Sequence, residues 1–384
     1  MEEKRKRGRR GRKEGSIYQR NDGLWVAEID LGVVDGKRKR KQLYAQTRKD
    51  VVEKLKDCQL ALHQGISINL KKQTVGQYLD RWVQDAATPR LRPRTLAGYK
   101  LTIQTHLKPL LGGFQLRELT GQHVQALIGS KVDEGLSPRT IRGIRAVLRS
   151  ALSDAVKWRI VQFNAAKAAS LPRVRRTEIK VLTPAQAREF LLAADAHRLG
   201  PLFSVALAVG LRLGEALGLR WKDVNIEGGE LRVTQALQRI AGQLQFVEPK
   251  SERSRRAIAL PKVAARVLKG HRTKQLEERL AAGGRWNDSG LVFTSTLGTP
   301  LDERNVRRAF KDILAGAKLP RIRIHDLRHT CASLLLAQGV HPRVVMETLG
   351  HSQISLTLDT YSHVLPALQQ EAARQIDTLL AVES

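Results

Sequence analysis

The sequence predicts a mainly α-helical, multidomain protein. It has a small three-stranded β-sheet plus helix at the N-terminus, a four-helix domain in the middle, and a mostly helical C-terminal domain with a small β insert. The chain has 384 residues, enough for two or three domains with separate cores. Apolar residues recur at helical spacing over most of its length. The alternation of apolar and polar residues that is typical of strands is confined to the N-terminal region and to roughly 223–260.

The N-terminal region divides into a leader and a small folded domain. Residues 1–14 are basic and of low complexity, and we expect them to be disordered without a partner. Residues 15–65 contain three strand-like runs, SIYQR, LWVAEIDL and KRKRKQLYA, followed by a helical pattern that Thr47 would cap. The Asp35-Gly36 pair between the second and third runs is typical of a two-residue hairpin. This domain is therefore predicted to be a three-stranded sheet with one helix packed on it.

Residues 73–164 show four helical patterns in succession. Thr74 and Gln77 form a capping box before the first, the second begins near Thr95, and the fourth opens at Ser137-Pro138, a cap followed by proline. The apolar face predicted for the third helix consists of Val124, Leu127, Ile128 and Val132.

The C-terminal domain is predicted to span residues 181–384, after a linker of small and basic residues at 165–180. Thr183 and Gln186 form another capping box at its start. Within the β insert, a hairpin is predicted between LQFVE and RRAIAL, with Lys250 at its tip.

The charge of the chain indicates a polyanionic partner. The formal net charge is +30, and residues 73–176 alone carry 18 Lys and Arg against 6 Asp and Glu. Charge alone also fits a basic structural or ribosome-associated protein. Candidate contacts to nucleic acid are Lys37, Arg38, Lys39, Arg40 and Lys41 in the third strand, Arg139, Arg142, Arg145 and Arg149 on one face of the fourth helix, and Arg173, Arg175 and Arg176 in the linker. The first group also fits a solvated hairpin edge, and the second a plain solvated face.

Several protein classes are disfavoured by the sequence. No apolar run reaches eighteen residues, and no apolar stretch follows the charged N-terminus, so neither a spanning helix nor a secretory signal is expected. Cys58 and Cys331 lie far apart without metal-ligand spacing, which predicts reduced thiols in a cytoplasmic protein. No phosphate-binding loop pattern occurs, and the acidic residues are scattered, so we expect no metal and no cofactor.

Two stretches of the C-terminal domain place charged side chains one helical turn apart. GLRLGEALGLRW puts Glu215 where it could orient Arg212. IRIHDLRHT projects His325 and Arg328 onto one side of a helix, with His329 pointing elsewhere. Each pair taken alone also fits a purely structural role.

Two further stretches add a phenol, an imidazole and an amine. Tyr361 lies ten residues after His351, which follows a predicted helix end at Gly350, and Lys250 lies in the predicted turn. Alone, the tyrosine fits a packed side chain and the lysine an exposed turn. Together with two guanidinium groups, they can attack a phosphodiester and stabilise the charge that develops on its oxygens. The combination predicts a DNA strand-cutting enzyme.

The boxes GLRLGEALGLRW, PKSERSRRAIALP, IHDLRHTCASLLLAQG, LGHS and DTYSH, in this order, resemble the signature motifs of the tyrosine recombinases, the phage integrase family. The resemblance covers nearly the whole chain, because residues 15–65 look like the arm-type DNA-binding domain of such integrases and residues 74–170 like their core-binding domain. It implies a site-specific recombinase that cuts and rejoins duplex DNA through a 3′-phosphotyrosyl intermediate, integrating or excising a mobile element.

The resemblance also implies a role for each candidate residue. Tyr361 would be the nucleophile, Arg212 and Arg328 would clamp the phosphate oxygens, and Lys250 would protonate the leaving 5′-oxygen. His325 would assist proton transfer, His351 would hydrogen-bond the phosphate, and Glu215 would support the first arginine.

The partners that the resemblance implies are core-type and arm-type sites on double-stranded DNA, three further copies in a homotetramer, and an accessory DNA-bending or directionality protein. The enzyme would associate with the nucleoid when bound to DNA. The C-terminal apolar stripe would pack either on its own domain or on a neighbouring protomer; it consists of Leu365, Leu368, Ala372, Ile376 and Leu379. Two alternatives stay open: DNA relaxation like that of a type IB topoisomerase, and a non-catalytic DNA-binding regulator on the same fold.

Overall fold

The computed structural model describes residues 15–34, 37–63, 73–174, 179–249 and 255–350, together with Ala373, Ile376, Asp377 and Leu380. The chain divides into two compact units, with the boundary between residues 175 and 176, inside the predicted linker. The architecture is mainly helical, with a small N-terminal sheet and small sheets in the second unit, which confirms the predicted fold class.

The first unit begins with the predicted sheet and helix. Its antiparallel strands, in the order β1-β2-β3, are β1 (Ser16–Gln19), β2 (Trp25–Val34) and β3 (Lys37–Ala45), and helix α1 (Arg48–His63) follows. Ala27 and Ile29 lie two residues apart on one face of β2 and bury their side chains against Val51 and Leu55 of α1. The hydroxyl of Thr47 accepts a hydrogen bond from the Asp50 amide at 3.2 Å, as a capping residue would.

Helices make up the rest of the first unit. They are α2 (Val75–Trp82), α3 (Thr88–Arg90), α4 (Pro93–Thr102), α5 (Lys108–Leu111), α6 (Gly121–Asp133), α7 (Pro138–Lys157) and α8 (Ala165–Ala168). Two π-helical turns, Val83–Ala87 and Ile103–Leu107, continue α2 and α4. The capping box of Thr74 with Gln77 and the Ser137-Pro138 start are both present.

Two details of this helical domain differ from the sequence analysis. Val132 is 48% exposed, although it was expected on the buried face of α6, because the buried stripe of Val124, Leu127 and Ile128 continues at Lys131 instead. Helix α8 lies in the segment predicted as linker, yet Ala165 and Ala166 are buried in the helical core. The packed structure of the first unit therefore extends further along the chain than the predicted limit.

The second unit is built on an apolar core to which several helices contribute, with Phe190, Phe203 and Phe310 at mutual centroid distances of 5.3 to 6.5 Å. Its helices are α9 (Pro184–Asp195), α10 (Gly200–Val209), α11 (Leu213–Leu217), α12 (Lys262–Ala282), α13 (Glu303–Gly316), α14 (Ile324–Ala337) and α15 (Pro342–Leu349). The capping box of Thr183 with Gln186 opens α9, as predicted. No helix in the described ranges is long and apolar enough to cross a membrane.

The β insert pairs differently from the prediction. Its strands are β4 (Val224–Asn225), β5 (Glu230–Val233), β6 (Ala236–Ile240), β7 (Gln243–Val247) and β8 (Arg256–Ala259). Strand β7 pairs with β6, whereas β8 pairs with β5 in the order β4-β5-β8, so the predicted hairpin between LQFVE and RRAIAL is wrong. The Ala241-Gly242 turn closes β6 on β7 directly, while Ile258 of β8 enters the core opposite Leu231.

Candidate active site

Arg212 and Glu215 meet at the start of α11. Arg212 is the residue before the helix, and Glu215 is in its first turn, so one turn brings the two side chains together. The Glu215 carboxylate accepts from the Arg212 amide at 3.0 Å and from its Nη1 at 2.6 Å. Glu215 is only 6% exposed, whereas the side chain of Arg212 is 37% exposed. A buried anion thus holds a guanidinium that still reaches solvent.

Arg328 is held by backbone carbonyls. It lies on α14, is 1% exposed, and donates from Nη1 to the carbonyl of Gly210 at 2.7 Å. Its Nη2 donates to the carbonyl of Leu349, and Nη2 of Arg212 donates to the carbonyl of Gly350 at 3.2 Å. The structure therefore brings the two predicted clamp arginines to the same place, the C-terminal end of α15.

Helix α15 ends as the sequence analysis predicts. Gly350 adopts a left-handed conformation with φ of 66° and caps the helix after Leu349. Gly210 ends α10 in the same way, with φ of 67°, and an added Cβ there would lie 2.4 Å from a methyl carbon of Leu349. The close approach of the two helix ends places both carbonyls that anchor Arg328 side by side.

His325 is an exposed residue in the first turn of α14, one turn before Arg328. Partial loss of hydration, together with the charges of Arg328 and Arg212, lowers the pKa of His325, so the ring is neutral at physiological pH. His329 does not point elsewhere: its ring is perpendicular to that of His325 at a centroid distance of 4.9 Å, and burial lowers its pKa to about 4. Two neutral imidazoles therefore stand together beside the arginines.

The start of α14 is fixed by a carboxylate that the sequence analysis did not single out. Asp326, 3% exposed, accepts from the Arg323 amide at 2.6 Å and from its Nη2 at 2.7 Å. Burial alone would raise the pKa of Asp326, but the hydrogen bonds and charge of Arg323 lower it below its usual value. The sequence signal that could have predicted this role is an acidic residue at the third position of a helix that begins after Arg323.

Arg256 is a third arginine at this site, and it was not among the predicted site residues. Its side chain, 6% exposed, donates to Glu215 from Nη1 at 3.4 Å and from Nη2 at 3.0 Å. Its Nε donates to the carbonyl of Thr348 at 2.7 Å. Its partners are 41 and 92 residues away along the chain, so neither could be found from sequence spacing.

Three predicted site residues, Lys250, His351 and Tyr361, lie outside the described residues. Their roles stay predictions. In the described ranges, no group of three or more His, Cys, Asp or Glu is arranged to hold a metal ion.

The predicted nucleic-acid contacts in β3 are in part ion-paired. Arg38 and Arg40 are exposed, and they pair across the strands with Asp30 at 2.5 Å and Glu28 at 3.6 Å. Lys41 is half-buried, and the side chains of Lys37 and Lys39 lie outside the described set. Two acidic residues therefore share this sheet with the predicted contacts.

The predicted contacts on α7 fall into two groups. Arg139, Arg142 and Arg149 are exposed, although Arg142 donates to the carbonyl of Pro172 at 3.5 Å; the half-buried Arg145 donates to the carbonyls of Ala166 at 2.6 Å and Lys167 at 3.2 Å. Arg145 thus fastens α8 to α7, in addition to any role toward DNA. Of the linker residues, Arg173 is exposed, and Arg175 and Arg176 lie outside the described ranges.

Family models match two segments of the chain. Residues 180–367 match the phage integrase family, and residues 74–132 match the N-terminal SAM-like domain of phage integrases. The described site, from Arg212 to Gly350, lies wholly within the first match.

Three curated relatives align along nearly the full chain. A tyrosine recombinase XerC-like protein of Caldanaerobacter subterraneus is 30% identical, over 90% of this chain and 93% of its own length. An integrase of Streptomyces ambofaciens is 31% identical, over 95% and 96% respectively. An integrase of Saccharopolyspora erythraea is 29% identical, over 98% and 99%.

Solved structures share the fold at lower identity. The Tn1549 transposon integrase in complex with transposon right end DNA superposes with a TM-score of 0.68 at 20% identity, covering 79% of this chain and 99% of that one. A lambda integrase tetramer bound to a Holliday junction gives 0.55 at 20%, covering 88% and 96%. On the strength of the family match and the full-length relatives, the chain belongs to the phage integrase family and is a tyrosine recombinase, a site-specific enzyme of DNA strand cleavage and transfer.

Proposed function

We propose that this recombinase is an integrase that cuts and rejoins duplex DNA through a phosphotyrosyl link at Tyr361. The observation that supports it most is the shared anchoring of Arg212 and Arg328. They donate to the carbonyls of Gly350 and Leu349, the last residues described before His351, and the proposed nucleophile follows ten residues after His351 in the sequence.

The proposed reaction needs no external energy source. The phenolic oxygen of Tyr361 attacks phosphorus, a 3′-phosphotyrosyl bond forms, and the bond from phosphorus to the 5′-oxygen breaks. Lys250 gives a proton to the leaving 5′-oxygen, and the neutral His325 assists removal of the phenolic proton. A 5′-hydroxyl from the partner duplex then attacks phosphorus and releases the tyrosine, which reverses the bond changes.

The arginines supply the charge that stabilises the pentacovalent transition state. A guanidinium presents a planar fork of donors that matches two phosphate oxygens. Donors that are already oriented need no reorganisation during the reaction, and one such donor contributes about 3 kcal/mol in comparable enzymes. The carbonyls that hold Arg328 and the carboxylate that holds Arg212 provide this orientation before DNA binds.

We also assign the first unit to DNA recognition. The proposed partners are core-type sites for residues 73–164 and arm-type sites for residues 15–65, with the exposed arginines of α7 as phosphate contacts.

A homotetramer is supported by the tetrameric lambda integrase on a Holliday junction. The exposed Ile376, a member of the C-terminal stripe, favours packing of that stripe on a neighbouring copy. We propose that the substrate is mobile-element DNA and that the enzyme is located with the nucleoid in the cytoplasm. The last proposed partner is an accessory DNA-bending or directionality protein.

The test uses a duplex attachment site that carries a nick beside the scissile phosphate, so that the cut strand diffuses away and the covalent adduct accumulates. The wild-type protein should form an adduct that survives denaturing electrophoresis. Tyr361→Phe should form none, because the phenolic oxygen is lost, while its Kd for the same DNA changes less than about threefold.

The control variant is Ser362→Ala, which removes a hydroxyl next to the proposed nucleophile, keeps Tyr361, and should leave the adduct in place. An adduct with Tyr361→Phe would show that another residue attacks. Supercoil relaxation by the wild type without exchange between two marked plasmids would favour the topoisomerase alternative.

A further inference from the structure

Arg256 occupies a position between three parts of the candidate site. It begins β8, the first described strand after the segment that contains Lys250. Its guanidinium reaches Glu215 in α11 on one side and the carbonyl of Thr348, near the end of α15, on the other. A single side chain of β8 therefore joins Glu215, which supports Arg212, to the helix end whose carbonyls anchor both proposed clamp arginines.

The Glu215 carboxylate is divided between two arginines. Oε1 accepts from Nη1 of Arg212 at 2.6 Å and from Nη1 of Arg256 at 3.4 Å. Oε2 accepts from the Arg212 amide and from Nη2 of Arg256, both at 3.0 Å. Because Arg256 holds one edge of the carboxylate, Arg212 binds it with one terminal nitrogen and keeps its other nitrogen directed at Gly350.

Arg256 and Arg212 differ in access to solvent. The side chain of Arg256 is 6% exposed and that of Arg212 is 37% exposed. All three guanidinium nitrogens of Arg256 donate to protein acceptors, so this side chain is suited to hold other groups, whereas the more exposed Arg212 is suited to meet a phosphate.

We propose that Arg256 is a positioning residue for strand cleavage, which orients Arg212 through Glu215 and fixes the end of α15 through the Thr348 carbonyl. The inference rests on the proposed function, since it deepens the account of the same site. Lysine could not replace Arg256 fully, because a single ammonium group cannot donate to both oxygens of the Glu215 carboxylate and also reach the Thr348 carbonyl.

The test compares rates of adduct formation on the nicked duplex under single-turnover conditions. We expect the rate to fall about 100-fold in Arg256→Met and about 10-fold in Arg256→Lys, since small displacements of positioned groups have effects of this size. Arg255→Met is the matched control. Arg255 is the exposed neighbour, paired with the exposed Glu248 at 3.0 Å, and its loss should change the rate less than about threefold.

The pH profile separates positioning from general destabilisation. Burial would raise the pKa of Glu215, but the charge and hydrogen bonds of Arg256, followed by those of Arg212, hold it below its usual value. In Arg256→Met only Arg212 opposes the effect of burial on the pKa of Glu215. The cleavage rate of that variant relative to wild type should therefore fall further as the pH is lowered from 7 to 5, and adding Glu215→Gln should abolish this extra dependence.

Each result bears on the inference. A folded Arg256→Met protein, with unchanged melting temperature and Kd, that cleaves within threefold of wild type would overturn it. Full activity of Arg256→Lys would also overturn it, because charge alone would then suffice. If the melting temperature of Arg256→Met is more than about 10 °C below that of the wild type, the cleavage rate of Arg256→Lys tests the inference instead. A wild-type protein that forms no adduct would instead contradict the proposed function.

Discussion

The exposed arginines of α7 and the buried arginines of the candidate site place the same side chain in opposite surroundings. Arg139, Arg142 and Arg149 lie on an exposed helix face. Arg328 and Arg256, in contrast, are almost fully buried and donate to carbonyls or a carboxylate. Exposed arginines can adapt to a phosphate backbone at little cost in stability, whereas buried ones have fixed directions and leave unpaired groups when removed. The two sets should therefore respond to mutation in different measurements.

The largest expected effect is that of Arg328→Ala. Loss of a positioned guanidinium should lower the single-turnover cleavage rate by about 1,000-fold. The free energy of unfolding should also fall by about 3 kcal/mol, because the carbonyls of Gly210 and Leu349 lose their buried donor. Adduct assays and urea denaturation measure the two effects. Arg149→Ala on α7 is the exposed counterpart, and an equal loss of stability there would remove the distinction.

A middle-sized effect is expected for Asp326→Asn. Asp326 has a lowered pKa, so its ionised form stabilises the folded state above the pKa of the unfolded chain, about 3.9, and this stability is lost as the pH falls through the lower folded value. The variant should lose about 2 kcal/mol at pH 7 and show a weaker acid dependence between pH 4 and 2. Thermal melts at several pH values test this.

The control for that measurement is Asp288→Asn. Asp288 pairs with Arg279 at 3.3 Å, and both side chains are more than half exposed. Its substitution should change stability by less than about 0.5 kcal/mol. Equal effects at the two sites would show that burial of the ion pair does not matter here.

The smallest effects distinguish two arginines on the same helix. Arg149→Gln should reduce the slope of log Kd against log salt by about 1, since one phosphate contact is lost, with unchanged melting. Arg145→Gln should leave that slope nearly unchanged and destabilise the first unit by about 1 kcal/mol, because it frees the carbonyls of Ala166 and Lys167. Fluorescence anisotropy at several salt concentrations and melting curves provide the data. The reverse outcome would make Arg145 the phosphate contact.

Features of the fold that depend on nearby residues could be predicted from the sequence. The caps at Thr74, Ser137 and Thr183 were predictable because a cap and its partners lie within four residues. The end of α15 at Gly350 was predictable for the same reason. The pairing of Arg212 with Glu215 follows from a single helical turn.

Features that depend on distant residues could not be predicted. Which strand β8 would pair with depended on the fit of Ile258 in a core formed by residues far apart in sequence. The anchoring of Arg328 to Leu349 and of Arg256 to Thr348 requires helix ends to meet in space. The spacing of charged residues in the sequence does not indicate which backbone carbonyl will accept their hydrogen bonds, because every residue supplies a carbonyl.

The use of main-chain oxygens to hold Arg212 and Arg328 has a consequence for sequence change. A carbonyl is supplied whatever side chain its residue bears, so substitutions at position 349 need only preserve packing, while position 350 must tolerate a left-handed backbone. The anchoring of Arg212 and Arg328 therefore depends on the path of the backbone. Divergent chains that keep this helix ending can keep both arginines in place, and with them the proposed phosphate contacts, while much of the surrounding sequence changes.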